Sequence, residues 1–189
     1  MRQRDPDKEK RVYLKAIEVI NELGFHGASI AKIAKEAGVS PATIYIYFQS
    51  REDMINQIYM QLKLKMVETV FSVIDRPDDL SVSIKKLWLA YIQWIFDNET
   101  DFCFLEQCAN SPLIDKGNQE KIKKVLTPYI AMLESGRKQH LLKQYPIEVL
   151  NSLIHGPILH MYKSEGKEWL KSSKGRNLLY QAVWDSIRY

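Results

Sequence analysis

Apolar residues recur along this chain at the three-and-four spacing of amphipathic helices, and no stretch alternates as a half-buried strand would. Val12, Ala16, Val19, Ile20 and Leu23 form the first stripe, which Gly24 ends. A second stripe, Ile30, Ile33, Ala34 and Ala37, follows Ser29, a residue type that caps helix starts. Gly38 stands where a helix end favours a left-handed backbone, and Val39 is a small apolar plug behind it. Ser40 and Pro41 open a short helix, with serine as the cap and proline at the first helical position. Ile44 and Phe48 share one face, leaving Thr43, Tyr45 and Tyr47 to point elsewhere. Helix, tight turn and second helix make a helix-turn-helix pattern, whose second helix lies in a DNA major groove.

Ser50 caps the next helix, and Glu52 and Asp53 occupy its first turn, where the helix dipole favours negative charge. Met54, Ile58, Leu62, Val70 and Phe71 carry it from Arg51 to about Ile74, where Asp75-Arg76-Pro77 ends it. At about 1.5 Å per residue such a helix is long enough to join two domains. From Leu80, helical spacing returns in Ile84, Leu87, Trp88, Tyr91, Ile92 and Ile95. A polar break at Asn98 to Asp101 precedes a short aromatic segment, Phe102 to Cys108, closed by Asn110-Ser111-Pro112. Ile122, Val125, Leu126, Tyr129, Ile130 and Leu133 make the cleanest stripe of all. Gln144-Tyr145-Pro146 opens a helix carrying Leu150, Leu153, Ile154, Ile158 and Met161, with a bend expected at Gly156-Pro157. Ser164 to Gly175 reads as loop apart from Trp169 and Leu170, and the last helix carries Leu178, Leu179, Val183, Trp184 and Ile187. The expectation is an all-α fold of about nine helices.

An apolar share of 46 % is enough for a real core, and the net charge is only +4. That charge is unevenly placed: residues 1–51 hold nine Lys/Arg against six Asp/Glu, and the remainder 18 against 17. A positive first segment suits a polyanionic partner. The polar start lacks the apolar core of a signal peptide, and no run approaches the roughly 20 apolar residues of a membrane span, so a cytoplasmic protein without membrane contact is expected. Cys103 and Cys108, five apart, make neither a disulfide framework nor a CxxC pair and read as reduced buried thiols. His26, His140, His155 and His160 form no metal-ligand or catalytic set, and G-x-S-x-G, P-loop and HExxH motifs are absent. No enzyme activity, metal or cofactor is expected.

The helix-turn-helix assigns DNA-facing roles. Ser29 and Ser40 sit at two helix starts, where unpaired N–H groups attract phosphate and the hydroxyls add a donor while also capping. Pro41, Ala42 and Thr43 lead the second helix into the groove, where Ala42 and the Thr43 methyl suit thymine methyl groups. The phenols of Tyr45 and Tyr47 suit phosphate, with a partly buried core placement as the alternative for each. Arg51 is a phosphate clamp, while Lys32 and Lys35 lie on the outer face. Base contacts so few and small point to DNA shape as part of the recognition.

Ser29-Ile30 with Ile33-Ala34, Ala37-Gly38-Val39-Ser40, Thr43-Ile44-Tyr45 with Phe48, and Arg51-Glu52 resemble the TetR family of bacterial transcription regulators, over Gly24 to Met54. Ala42 stands where that family usually has glycine or a polar residue, Tyr47 where histidine is frequent, and Arg51 where lysine is. The resemblance implies an N-terminal three-helix DNA-binding domain, residues 1–50, and a helical effector-binding and dimerisation domain, residues 51–189, linked by the helix from about 51 to 74. It further implies a homodimer on a palindromic operator in double-stranded DNA, released as a repressor when a small-molecule effector shifts that linking helix. In such proteins the last two long helices form the dimer interface, which selects Leu150, Ile154, Ile158 and Met161 with Leu179, Val183, Trp184 and Ile187; ordinary intrachain core accounts for some of them. Trp88, Tyr91, Trp94, Phe102, Phe104, Cys108, Tyr129 and Met132 have the aromatic and soft composition of an effector pocket, with core as the competing reading for each. A DNA-bound adaptor of the same fold, recruiting a protein and sensing no metabolite, is the alternative function.

Overall fold

A computed structural model describes residues 5–74, 79–109 and 111–189. The chain forms two compact units, Met1–Lys65 with Asn98–Lys123 and Met66–Asp97 with Lys124–Tyr189. Among the described residues the only β pairing is one isolated bridge, Leu142 to Arg188. The predicted stop at Asp75-Arg76-Pro77 and the break at Asn110 fall outside the described residues.

In the first unit, α1 (Pro6–Gly27) starts at Asp5, whose carboxylate accepts from the N–H groups of Asp7 and Lys8. Its predicted end at Gly24 is a break rather than a stop: Gly24 turns left-handed at φ 65°, and one more turn follows to Gly27. The helices α2 (Ile30–Ala37) and α3 (Pro41–Tyr47) lie where the spacing predicts them. Fully buried Ile17 and Ile20 of α1 share this core with Ile33, Ile44, Met54, Ile55 and Ile58. The long helix α4 (Arg51–Phe71) ends three residues short of Ile74. Ser50 caps it by accepting from Asp53 N–H at 3.0 Å, while Asp53 accepts from Gln49 N–H at 2.7 Å. This reciprocal pair satisfies two donors at the helix start.

The aromatic segment becomes α6 (Glu99–Ala109), buried through Phe102, Phe104, Leu105 and Cys108. Asn21 ties it to α1, donating to Thr100 C=O at 2.8 Å and accepting from Gln107 at 3.1 Å. Beyond it, the single stripe predicted from Ile122 to Leu133 is two helices, α7 (Lys116–Val125) and α8 (Thr127–Lys138). Pro128 explains the break, because it has no N–H for the preceding turn and its ring crowds the carbonyl four residues back. Val125 is left on the surface.

In the second unit, α5 (Leu80–Asp97), α9 (Ile147–Lys163) and α11 (Ser173–Ile187) pack around Leu87, Trp88, Ile92, Leu150, Ile154, Ile158, Val183 and Ile187. Pro157 lies inside α9 as expected. The stretch predicted as loop after Ser164 holds a short helix, α10 (Lys167–Lys171), which buries Leu170 and leaves Trp169 exposed. Splitting the stripe at Pro128 and adding α10 raises the expected nine helices to eleven among the described residues.

Candidate nucleic-acid interface and effector region

Local hydrogen bonds build the helix-turn-helix. Ser29 Oγ accepts from Lys32 N–H at 3.2 Å and starts α2. Gly38 ends it in the left-handed conformation, φ 65° and ψ 38°. Its N–H and that of Val39 return to Lys35 and Ala34 carbonyls, the paired bonds of a Schellman stop. A side chain there would meet open space, so backbone conformation rather than room calls for glycine. Ser40 then caps α3, accepting from Thr43 N–H at 3.2 Å and meeting Thr43 Oγ1 at 2.9 Å.

The two faces of α3 are sharply different. Ile44 is fully buried, and Tyr47 and Phe48 are 6 % and 4 % exposed, against the core of the first unit. Pro41, Ala42 and Tyr45 are exposed, with Tyr45 at 55 %, and Thr43 is half-buried. Ser29 and Ser40 are exposed beside them. Lys32 is half-buried and paired with Glu36 at 2.9 Å, which raises the lysine and lowers the carboxylate from their ordinary pKa values; Lys35 is exposed.

Two predicted phosphate ligands are placed otherwise. The Tyr47 hydroxyl points inward, accepting from Asp5 N–H and donating to Asp5 C=O, both at 3.1 Å. Residues 45 and 47 are about 200° apart around a helix, so the two phenols cannot share a face. Arg51 donates from Nε to Ala28 C=O at 2.8 Å and from Nη2 to Phe25 C=O. These carbonyls close the last turn of α1, where helix geometry leaves acceptors without partners. Arg51 is therefore a clamp on α1. Asp5, the partner of Tyr47, escaped prediction because 42 residues separate them and no local pattern links them.

The eight residues grouped for an effector fall in both units. Phe102, Phe104 and Cys108 belong to the first unit; Trp88, Tyr91, Trp94, Tyr129 and Met132 belong to the second. Trp88, Trp94, Phe102, Phe104 and Cys108 are at most 3 % exposed and serve as core. Burial pushes the Cys108 thiol up to about 12. Trp88 Nε1–H donates to Ile154 C=O at 2.9 Å. Within the second unit Tyr129 Oη lies 3.2 Å from His155 Nε2, and Tyr91 and Met132 are half-buried. The Tyr91 ring stands edge-on to His155, 5.4 Å between centroids. None of the eight lines a separate open groove of about 500 Å³ in that unit, formed by Val73, Lys86, Leu89, Ala90, Gln93, Ser173, Arg176 and Asn177.

The predicted dimer residues also divide. Leu150, Ile154, Ile158, Val183 and Ile187 are at most 3 % exposed inside one chain, so they belong to its own core. Met161, Leu179 and Trp184 are half-buried. The large apolar residues that α9 and α11 leave exposed are Val149 at 42 % and Leu178 at 54 %. Among the described residues no helix is long and apolar enough to cross a membrane, and no cluster of His, Cys, Asp and Glu could hold a metal.

Residues 14–58 match the family model for bacterial regulatory proteins of the tetR family, and residues 59–189 match that of the tetracyclin repressor-like C-terminal domain. The fatty acid metabolism regulator protein of Bacillus subtilis is 38 % identical over 68 residues; the match takes in 36 % of this chain and only 34 % of that relative. The HTH-type transcriptional regulator YvdT of the same organism is 28 % identical over 149 residues, 77 % of this chain and 73 % of that protein. Among solved structures, a TetR family transcription regulator from Marinobacter aquaeolei superposes with a TM-score of 0.86 at 22 % identity, covering 100 % of this chain and 99 % of that one. The regulator FadR from Bacillus subtilis, in complex with stearoyl-CoA, superposes at 0.69 and 18 % identity, covering 93 % and 97 %. These structural likenesses show a shared fold.

Proposed function

Because this chain belongs to the TetR family of bacterial regulatory proteins and is thus a DNA-binding transcriptional regulator, not an enzyme, we propose that it acts as a homodimeric repressor, released from a palindromic operator by a small-molecule effector. One observation carries the DNA half of this reading. The short helix α3 buries Ile44 and Tyr47 and turns Pro41, Ala42 and Tyr45 outward, a convex edge of the width a major groove admits. Ser29, Ser40 and Thr43 flank that edge as phosphate or base donors. Functionally the chain divides near residue 50, into the DNA-binding segment and the effector and dimerisation segment, with α4 as the link.

A seven-residue recognition helix offers few base contacts, so specific affinity calls for two half-sites and hence two copies. The exposed flank of α9 and α11 suits the second copy. Val149, Leu153 and Gly156 repeat at i, i+4 and i+7 on α9, and Leu178 with the half-buried Leu179 and Trp184 supplies apolar surface on α11.

The effector class with most support is a long-chain acyl thioester or a similar anionic amphiphile. The match to a fatty acid metabolism regulator and the fold shared with a stearoyl-CoA complex favour it. In the second unit, Lys86 and Arg176 beside Val73, Leu89 and Ala90 offer cationic and apolar surface together. Tyr91, Met132 and the Tyr129–His155 pair are the further candidate contacts. The effector acts by preferring a state of α4 that spaces the two recognition helices wrongly for the operator.

The experiment is a gel shift on the DNA upstream of the gene and its neighbours, with acyl-CoAs of graded chain length, alongside transcript levels in a deletion strain. Release by acyl-CoA and a raised transcript on deletion are expected. Binding that no acyl-CoA or metabolite alters would overturn effector release and favour the adaptor reading, which the buried, core-like placement of Trp88, Trp94 and Phe104 also supports.

A further inference from the structure

Within the second unit, α5 and α11 meet in a register that Tyr180 fixes. Its hydroxyl donates to Ser81 C=O at 3.0 Å, and its ring stands edge-on to Trp88, 5.5 Å between centroids. Earlier on α11, Ser173, Arg176 and Asn177 follow the i, i+3, i+4 spacing of one helix face. On α5, Lys86, Leu89, Ala90 and Gln93 do the same. These two stripes, with Val73, line the open groove of about 500 Å³. Two of its lining residues are cations and none is an acid. Lys86 is exposed, while Arg176, Leu89 and Ala90 are half-buried.

We propose that this groove takes the phosphate-bearing head of an amphiphile, with the Arg176 guanidinium and the Lys86 ammonium as its cationic ligands and Leu89, Ala90 and Val73 against the start of the apolar tail. Charge favours phosphate over carboxylate. A cleft lined by one sign of charge concentrates counter-ions, and two cations balance more than the single charge of a fatty carboxylate. A phosphate monoester brings about 1.5 to 2 negative charges and three acceptor oxygens. The guanidinium fork can take two of those oxygens at once and stays charged at any working pH. The Ser173 hydroxyl and the Gln93 and Asn177 amides add neutral donors. Leu89 and Ala90 lie between Lys86 and Gln93 on the α5 stripe, so head and tail surfaces adjoin. Both walls are helices, and Ser172 secures the start of α11 by accepting Gly175 N–H at 2.9 Å. Donors held in this way lose little freedom when a ligand arrives. Val73 stands two positions past Phe71, the last residue of α4, so an occupant touches the chain where the linking helix ends. This inference rests on the effector reading above and narrows it from an anionic amphiphile to a phosphorylated one.

The test is calorimetric titration of the full chain with palmitoyl-CoA, palmitoyl lysophosphatidic acid and palmitate, each below its micelle-forming concentration. The wild type should hold at least one phosphorylated ligand about tenfold more tightly than palmitate. R176Q and K86Q should each remove most of that advantage, and the double variant all of it. R176E should cost more than R176Q, because it adds a repelling charge. R176K keeps the charge without the fork and should recover part of the loss; no recovery over R176Q overturns the ionic role. Unliganded melting temperatures show that the variants fold. Binding of palmitoyl-CoA alone assigns a thioester source, binding of the lysophosphatidic acid alone a phospholipid source, and binding of both the shared phosphate. Equal wild-type affinity for palmitate and both phosphorylated ligands overturns the inference. So does a palmitoyl-CoA affinity that neither R176Q nor K86Q lowers. Both of these results leave the acyl-effector reading standing. If instead no acyl compound releases the operator, that reading falls, and the lysophosphatidic acid still decides the groove: retention by the wild type and loss in R176Q supports it, and no binding overturns it.

Discussion

Asn118 donates from Nδ2 to Oδ1 of Asn56 at 3.0 Å, a side-chain amide pair buried between α7 and α4. Asn56 is fully used. Its amide also donates to the Glu52 and Leu113 carbonyls, and its oxygen also accepts from Asp115 N–H. Asn118 reaches Asp115 as well, at 3.0 Å. Through this network the loop between α6 and α7 is held to the first half of α4.

Substituting Asn56→Leu leaves the Leu113 carbonyl and the Asp115 N–H without that partner and the Asn118 amide with Asp115 alone. Buried groups stripped in this way cost about 1–3 kcal/mol each, less what water recovers, so a net loss of about 2–3 kcal/mol is expected. Urea unfolding reads it. The double variant N56L/N118L should cost less than the two single losses added, because it removes both sides of one bond. Strict additivity would mean that the amides do not act together.

Arg51→Lys should weaken the clamp on the end of α1, since an ammonium cannot serve both the Phe25 and Ala28 carbonyls with the fork of a guanidinium. We expect a loss of about 1–2 kcal/mol in thermal unfolding, with the salt slope of DNA binding kept. Tyr45→Phe should do the reverse. At 55 % exposure the Tyr45 hydroxyl touches no core, so stability should move by less than about 0.5 kcal/mol while DNA affinity falls.

Gly175→Ala should destabilise the second unit. A Cβ at that position would run into the backbone carbonyl of Trp169, where α10 turns back onto α11, and backbone yields less readily than a side chain. A loss of about 1–3 kcal/mol is expected, read as a lowered melting temperature. A neutral outcome would mean that α10 can shift away without cost.

Alkaline pH should weaken the fold. Burial pushes Cys108 and Tyr180 each up to about 12, from ordinary values of 9.0 and 10.0. A raised folded pKa favours the protonated form. The stability it supplies is complete below the unfolded pKa and is lost as pH climbs towards the folded one. The urea midpoint should therefore decline between about pH 9 and pH 12, and Tyr180→Phe should flatten part of that decline. The same burial predicts thiol reactivity: a mild thiol reagent should modify exposed Cys103 and spare Cys108 until the protein unfolds. Equal rates at the two thiols would contradict the burial of α6.

The helix-turn-helix is legible in the sequence because everything that shapes it is local. Ser29, Gly38, Ser40 and Pro41 act within four residues of themselves, and the structure places each in the role its chemistry predicts. The Ile122 to Leu133 stripe misleads because periodicity cannot see the missing N–H of Pro128. Spacing leaves the effector and dimer assignments open for a different reason. An apolar helical stripe reports that a face is covered, and says nothing of whether its own chain, a ligand or a second copy covers it. Ile154 and Val183 have the spacing and chemistry of interface residues, yet both are buried inside one chain.

By itself, then, the order of residues determined the helical class, the capped turn at Gly38 and the helix-turn-helix around it, because caps, turns and helical faces are set by neighbours a few positions away. Tertiary structure alone decided that Tyr47 turns in to Asp5, that Arg51 serves α1, and that Asn56 meets Asn118. Those pairings join residues 23 to 62 positions apart, and polar groups choose such partners by which unmet donor or acceptor the packed core brings within reach.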